Sequence, residues 1–126
     1  MKTIIFTENA PQPIGPYSQA VVIDNTLYTS GQIAINPESG ELVIADISSE
    51  TEQVMQNLKA VLAAAEMSFE NVIKVTIYII DMNDFGKINS IYGNYFNEKT
   101  APARETVQVA CLPKNVSIEI SLIAKK

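Results

Sequence analysis

Apolar and polar positions change period several times along the chain. Val54, Leu58, Val61, Leu62 and Ala65 recur at the spacing of one helical face. Just ahead of them, Ser49-Glu50-Thr51-Glu52 has the capping-box pattern, so an amphipathic helix is predicted from about Ser49 to Glu66. Val72 to Ile80 places seven β-branched residues in nine positions and reads as a central strand. Asn83 is placed to cap a second helix, with Phe85, Ile88, Tyr92, Tyr95 and Phe96 on its apolar side. Gly86 and Gly93 weaken that helix, so it needs tertiary packing.

The other segments read as strands and turns. Ser18–Ile23 and Thr26–Gly31 flank Asp24-Asn25, a pair that tolerates positive φ, and predict a hairpin. Asn36–Gly40 is a second turn, and Glu41–Ile44 follows as a short strand. Pro102 restarts the chain in extended form. Arg104–Ala110 and Val116–Ala124 are the last two strands, joined by Leu112-Pro113-Lys114-Asn115. Asn9–Tyr17 holds three Pro and one Gly in nine residues, which excludes helix and central strand and makes a stiff loop. The expected order is β-β-β-α-β-α-β-β: one α+β domain over residues 1–126, with two helices on one face of a mixed sheet. The other face has no helix to cover it, yet its strands carry apolar residues, and self-association is the physical remedy.

Composition narrows the chemistry. The 126 residues include no His and one Cys. No Ser-His-Asp triad or Cys-His pair can be assembled, and a metal site would rest on carboxylates and one thiol. Neither a metal nor another cofactor is expected. Cys111 reads as a small buried hydrophobe. Nine basic against 14 acidic residues give a net charge of -5, a poor match for a nucleic-acid backbone. No apolar run approaches the roughly 20 residues of a membrane span. The first eight residues lack an apolar stretch of signal-peptide length. The reading is a soluble cytoplasmic protein without nucleic-acid or membrane partners.

Four features could carry chemistry. Strand alternation puts Arg104, Thr106 and Gln108 on one face and Glu105 and Val107 on the other. Arg104 is then either a bidentate carboxylate clamp or a solvated or salt-bridged arginine. Glu119 is the only charged residue between Val116 and Ala124; such a carboxylate is ion-paired, or it orients a water or moves a proton. Gly31, in Ser30-Gly31-Gln32, either marks a bulge or admits a ligand to the backbone. Tyr17 offers an aromatic face and a hydroxyl, and by itself reads as a core tyrosine.

Asn9-Ala10-Pro11, Ile14-Gly15-Pro16-Tyr17-Ser18-Gln19 and Ser30-Gly31-Gln32-Ile33 together resemble the opening of the RidA (YjgF-type) reactive-intermediate deaminases. Asp81–Phe85 with Asn89, Tyr92 and Phe96 fits that family's second helix. Pro102-Ala103-Arg104, Leu112-Pro113 and Ile118-Glu119-Ile120 match its C-terminal signature. The resemblance implies a chorismate-mutase-like fold and a homotrimer whose sheets form a central barrel, with ligand clefts at the subunit interfaces. It implies hydrolysis of enamines and imines such as 2-aminoacrylate, 2-iminopropanoate and 2-iminobutanoate to 2-oxo acids and ammonia. A non-catalytic module sensing 2-oxo acids is the alternative. By the same resemblance Arg104 holds the substrate carboxylate and Glu119 manages the attacking water. Backbone groups of Gly31 and Thr106 meet the imine, and Tyr17, Ser30 and Asn89 line the cleft. Two residues depart from the family pattern: Thr106 stands where Cys is frequent, and Glu105 where a small residue is usual. Glu105 either pairs with a lysine or brings negative charge to the clamp.

Overall fold

A computed structural model describes residues 1–126. Its strands are β1 (Thr3–Ile5), β2 (Ala20–Ile23), β3 (Thr26–Thr29), β4 (Val72–Ile79), β5 (Ala103–Gln108) and β6 (Ile118–Lys125), and its helices are α1 (Ile47–Ala64) and α2 (Phe85–Gly93). The strands form one sheet in the order β1-β2-β3-β6-β4-β5. Only the β4–β5 pair is parallel, and α2 supplies the crossover that a parallel pair requires. β6, last in sequence, sits between β3 and β4 and closes the sheet.

The core forms where the helical stripe meets one face of this sheet. Val54, Leu58, Val61 and Leu62 of α1 pack with Val75, Ile77 and Ile79 of β4 and with Ile118, Ile120, Leu122 and Ala124 of β6. The opposite face carries Lys74, Thr76 and Tyr78 from β4, beside Ser121 and Glu119 of β6. Ile4, Ile23 and Tyr28 also lie there, exposed. No helix covers this face.

The order of elements is the expected one, but one strand has changed identity. Glu41–Ile44 makes only the isolated bridge Ile35↔Leu42. Pro37 and Gly40 (φ +75°) close that loop too tightly for a ladder. The strand that takes its place is β1, three residues held by antiparallel pairing to β2. Both helix starts differ as well. Asp46, not Ser49, caps α1, its carboxylate accepting the Ser49 N–H at 2.8 Å. A short 3-10 turn over Met82–Asp84 precedes α2, and Asp81 rather than Asn83 caps it. The hairpin turn is as expected, with Asp24 and Asn25 at φ 49° and 62°. No helix is long and apolar enough to cross a membrane.

Glu50, freed from capping, is buried at 2% exposure under the start of β6. One carboxylate oxygen accepts the N–H of Ser117 at 2.7 Å and of Ile118 at 3.1 Å. Burial pushes its pKa up, and the two N–H groups only partly offset that. Its native pKa lies above the unfolded one, so the folded state binds the proton more tightly. That contribution to stability is full below the unfolded pKa and is lost as pH rises through the native one. Glu50→Gln keeps the acceptor without the charge. It should melt at the same or a higher temperature at pH 7 and flatten the loss of stability from acid to neutral pH. Glu50→Ala strands two buried N–H groups, at a cost of about 1–3 kcal/mol each. Thermal and urea unfolding at several pH values checks both.

Candidate functional site

The singled-out residues fall into two groups on opposite faces of the sheet. Tyr17, Ser30, Gly31 and Glu119 line one cavity of about 660 Å³. Its outer wall is the proline-rich segment, which contributes Pro11, Gln12 and Ile14. Buried Gln19 holds this wall in place. Its amide oxygen accepts the Thr7 N–H at 2.7 Å, and its nitrogen donates to the carbonyls of Thr7 (2.9 Å), Pro11 (2.9 Å) and Ala10 (3.3 Å). Tyr17 is 51% exposed on this strap, not in the core.

β3 stops pairing just before the cavity. The Thr29 hydroxyl accepts the Leu122 N–H at 2.9 Å, in place of a backbone carbonyl. Pairing resumes only where Gln32 bridges Ile120. Ser30 spends its hydroxyl proton on the Ser18 carbonyl at 2.5 Å, so toward a ligand it can only accept. Gly31 sits in the gap, with no backbone hydrogen bond to its N–H or carbonyl. The interruption is therefore an irregularity of the strand that also leaves a peptide free for a ligand. An ideal Cβ on Gly31 would collide with the Glu119 Oε2. The absence of a side chain at Gly31 lets the Glu119 carboxyl lie across its Cα.

No ion pair forms at Glu119. Burial alone pushes its pKa up, the direction that suits a proton-handling carboxyl near neutrality. Lys114, at positive φ (56°), brings the one cationic side chain to the cavity rim.

The second group lies on the helix face of edge strand β5. Arg104 donates from Nη1 to the Asn89 Oδ1 at 2.7 Å. Its guanidinium carbon sits 4.8 Å from the Tyr92 ring centroid and 5.6 Å from that of Phe85. The buried Tyr92 hydroxyl has no partner, and its pKa is pushed up to about 12, chiefly by burial. Thr106 shares this face, its hydroxyl shielded and also without a partner. Arg104, Asn89 and Thr106 do not line the cavity that holds Glu119. Strands β5 and β6 are separated by β4, about 10 Å at ordinary strand spacing.

Glu105 lies opposite to Arg104, as alternation requires. It forms an ion pair with Lys74 at 2.9 Å and accepts from the Thr76 hydroxyl. Those two contacts, Thr76 first, hold its pKa down. Its charge is taken up away from the clamp. Cys111 is exposed beyond β5 rather than buried, because the turn into Pro113 leaves it outside the core. Phe85 and Tyr92 were not expected to touch Arg104. Their i, i+7 spacing about Asn89 on one helix is the signal that could have found them.

A family model described as endoribonuclease L-PSP matches residues 7–126. A RutC family protein of Pyrococcus horikoshii is 56% identical over 126 residues, 100% of this chain and 99% of that protein. This chain belongs to the RidA family. The human 2-iminobutanoate/2-iminopropanoate deaminase is 46% identical over 124 residues, 98% of this chain and 90% of its own length. Among structures, a Rid-family protein of Yersinia pestis superposes with TM-score 0.97 at 46% identity over the whole of both chains. Escherichia coli TdcF with bound serine superposes with TM-score 0.92 at 44% identity, covering 98% of each chain. The RidA fold implied by the resemblance is therefore the fold of this chain.

The contact between Gly31 and Glu119 gives a sharp expectation. In Gly31→Ala only the end of a flexible side chain must yield, so the melting temperature should fall by a few degrees at most. The Glu119 carboxyl should swing out, and its pKa should return toward the ordinary carboxylate range. Carbon-detected NMR titration of Glu119 in both proteins measures this; an unmoved titration would show that the close contact does not hold the carboxyl.

Proposed function

We propose that this RidA chain is an enamine/imine deaminase that hydrolyses 2-iminopropanoate and 2-iminobutanoate, with 2-aminoacrylate reaching it as the imine tautomer. A single observation carries the reading: an arginine with no carboxylate partner and a half-buried carboxylate with no cationic partner, in a chain with a deaminase relative. A substrate with a carboxylate at one end and an electrophilic carbon beside it answers to both. The serine bound to TdcF has the same carboxylate and α-nitrogen.

The chemistry needs little beyond positioning. Arg104 would bind the carboxylate with two parallel hydrogen bonds. Ionised Glu119 would take a proton from water as its oxygen bonds to C2 of the iminium. Glu119 then returns that proton to the nitrogen, the C2–N bond breaks, and the new C2 hydroxyl gives its proton to the departing ammonia, which leaves as ammonium. The substrate R–C(=NH₂⁺)–COO⁻ and water become R–CO–COO⁻ and NH₄⁺. Free Gly31 backbone groups would meet the nitrogen, and Tyr17, Ser30, Asn89 and Thr106 would shape the cleft. No His and no metal is called on, since an iminium carbon is already electrophilic. The net charge of -5 disfavours RNA as substrate. We place the reaction in the cytoplasm, where an exposed thiol such as Cys111 stays reduced.

Arg104 and Glu119 lie on opposite faces of one sheet, so a single chain cannot bring both to one small substrate. A second copy can, by presenting its β5 edge to the cavity. We therefore infer a homotrimer in which open sheet faces pack into a central barrel and each cleft takes half its residues from each neighbour. Light scattering should give three chains of 13.8 kDa, roughly 40 kDa. A stable monomer at micromolar concentration would remove this arrangement.

Turnover and binding separate the two roles. Glu119→Gln should still bind 2-oxobutanoate in calorimetry and lose on the order of 10²- to 10⁴-fold in 2-oxo acid release. In the parent, kcat/KM should fall as pH drops through a pKa above the ordinary carboxylate range, because the base must be ionised; Glu119→Gln should lack that limb. Arg104→Lys keeps the charge without the fork and should lose on the order of a hundredfold in turnover. Binding of 2-oxobutanoate without any imine turnover by the parent would make the chain a sensor instead.

A further inference from the structure

One face of α2 is devoted to Arg104. Phe85, Asn89 and Tyr92 stand at i, i+4 and i+7, and all three meet the guanidinium. Two contribute ring faces within the range of cation–π attraction. The third contributes an amide oxygen. None is a carboxylate, in a chain with 14 acidic residues against nine basic ones. The two ion pairs in the molecule are Lys74–Glu105 and Lys126–Glu66. Glu105, adjacent to Arg104 in sequence, is turned to the other face and bound by Lys74 and Thr76.

An arginine that only stabilised the fold would ordinarily be seated on a carboxylate, which satisfies its donors and its charge. Here the seat holds the group in place without neutralising it. The Tyr92 hydroxyl stays protonated at any ordinary pH, so it adds no charge beneath the guanidinium. Asn89 engages only Nη1 and leaves the other edge of the fork unoccupied.

We propose that Asn89 and Tyr92 are positioning residues whose neutrality sets the affinity of Arg104 for a carboxylate ligand: α2 is an uncharged seat that orients the guanidinium and leaves its full charge to the substrate. This rests on the reading of Arg104 as the carboxylate clamp. It adds that the residues behind the clamp determine its strength through charge as well as shape.

The test compares Asn89→Asp with Asn89→Ala in calorimetric binding of 2-oxobutanoate to the assembled protein. Asp has nearly the shape of Asn and keeps the oxygen that accepts from Nη1. A purely structural role therefore predicts that Asp binds ligand at least as well as Ala. A neutral seat predicts the reverse order. Asn89→Ala should lose about fivefold in affinity through a freer guanidinium. Asn89→Asp should lose on the order of thirtyfold while melting no lower than Asn89→Ala, since a unit negative charge about 4 Å away competes with the ligand. Tyr92→Leu should also lose about fivefold. Tyr92→Phe should recover that loss, because the ring face remains and an unpartnered hydroxyl is removed.

Asn89→Asp binding as tightly as Asn89→Ala or better overturns the proposal, as does a Tyr92→Phe no better than Tyr92→Leu. If Tyr92→Leu does not fold, the Asn89 pair decides alone. Arg104→Ala separates the two levels. Loss of binding there with unchanged binding in Asn89→Asp sinks only the neutral seat, whereas unchanged binding in Arg104→Ala sinks the clamp and the seat together.

Discussion

β6 runs through the middle of the sheet, hydrogen-bonded to β3 on one side and β4 on the other. Its alternation sends Ile118, Ile120, Leu122 and Ala124 into the core and leaves Glu119 on the face without helices. β5 follows the same rule one strand beyond β4, and there it turns Arg104 toward α2 and Glu105 away. Moving β6 by one residue would turn Glu119 into the core, and moving β5 would put Glu105 beneath α2 in place of Arg104. The apolar residues that set the register thus also fix which side of the sheet each charge occupies. The separation of cation from carboxylate is a product of folding and needs no contact of its own.

The cavity is held from behind by buried polar side chains rather than by apolar packing alone. Gln19 ties down the proline strap. Asn57 of α1 donates to the carbonyls of Ile33 and Ile35, which support the opposite wall. Glu50 fastens the start of β6 ahead of Glu119. Each belongs to a regular element or adjoins one; Gln19 and Asn57 secure segments that have no ladder of their own, and Glu50 secures the point where the β6 ladder begins. Buried amides and carboxyls are costly unless satisfied, so they specify one geometry for the segments they hold.

The helices and central strands were legible because their signals are local. The α1 stripe, the β-branched run of β4 and the Asp24-Asn25 turn each depend on neighbours in sequence. β1 was invisible because three residues carry no period and are defined by the partner strand. Glu41–Ile44 looked like a strand by composition, but its loop geometry prevented a ladder. In the candidate site, alternation correctly divided Arg104 from Glu105 and Glu119 from its isoleucine neighbours. It could not reveal that Asp46 frees Glu50 for burial, or that Cys111 lies outside the core, since both depend on where a turn directs the chain. The contact of Gly31 with Glu119 was equally hidden, since a gap in one strand faces a side chain from another.

The opposed placement of Arg104 and Glu119 also bears on how the protein tolerates damage. In the trimer proposed above, every cleft would take its arginine from one chain and its carboxylate from the next, so each chain would serve two clefts. One copy lacking both groups would then leave such a trimer with a single working cleft, not two. Loss of function then spreads beyond the defective chain, and a minority of faulty copies would depress activity out of proportion to their number.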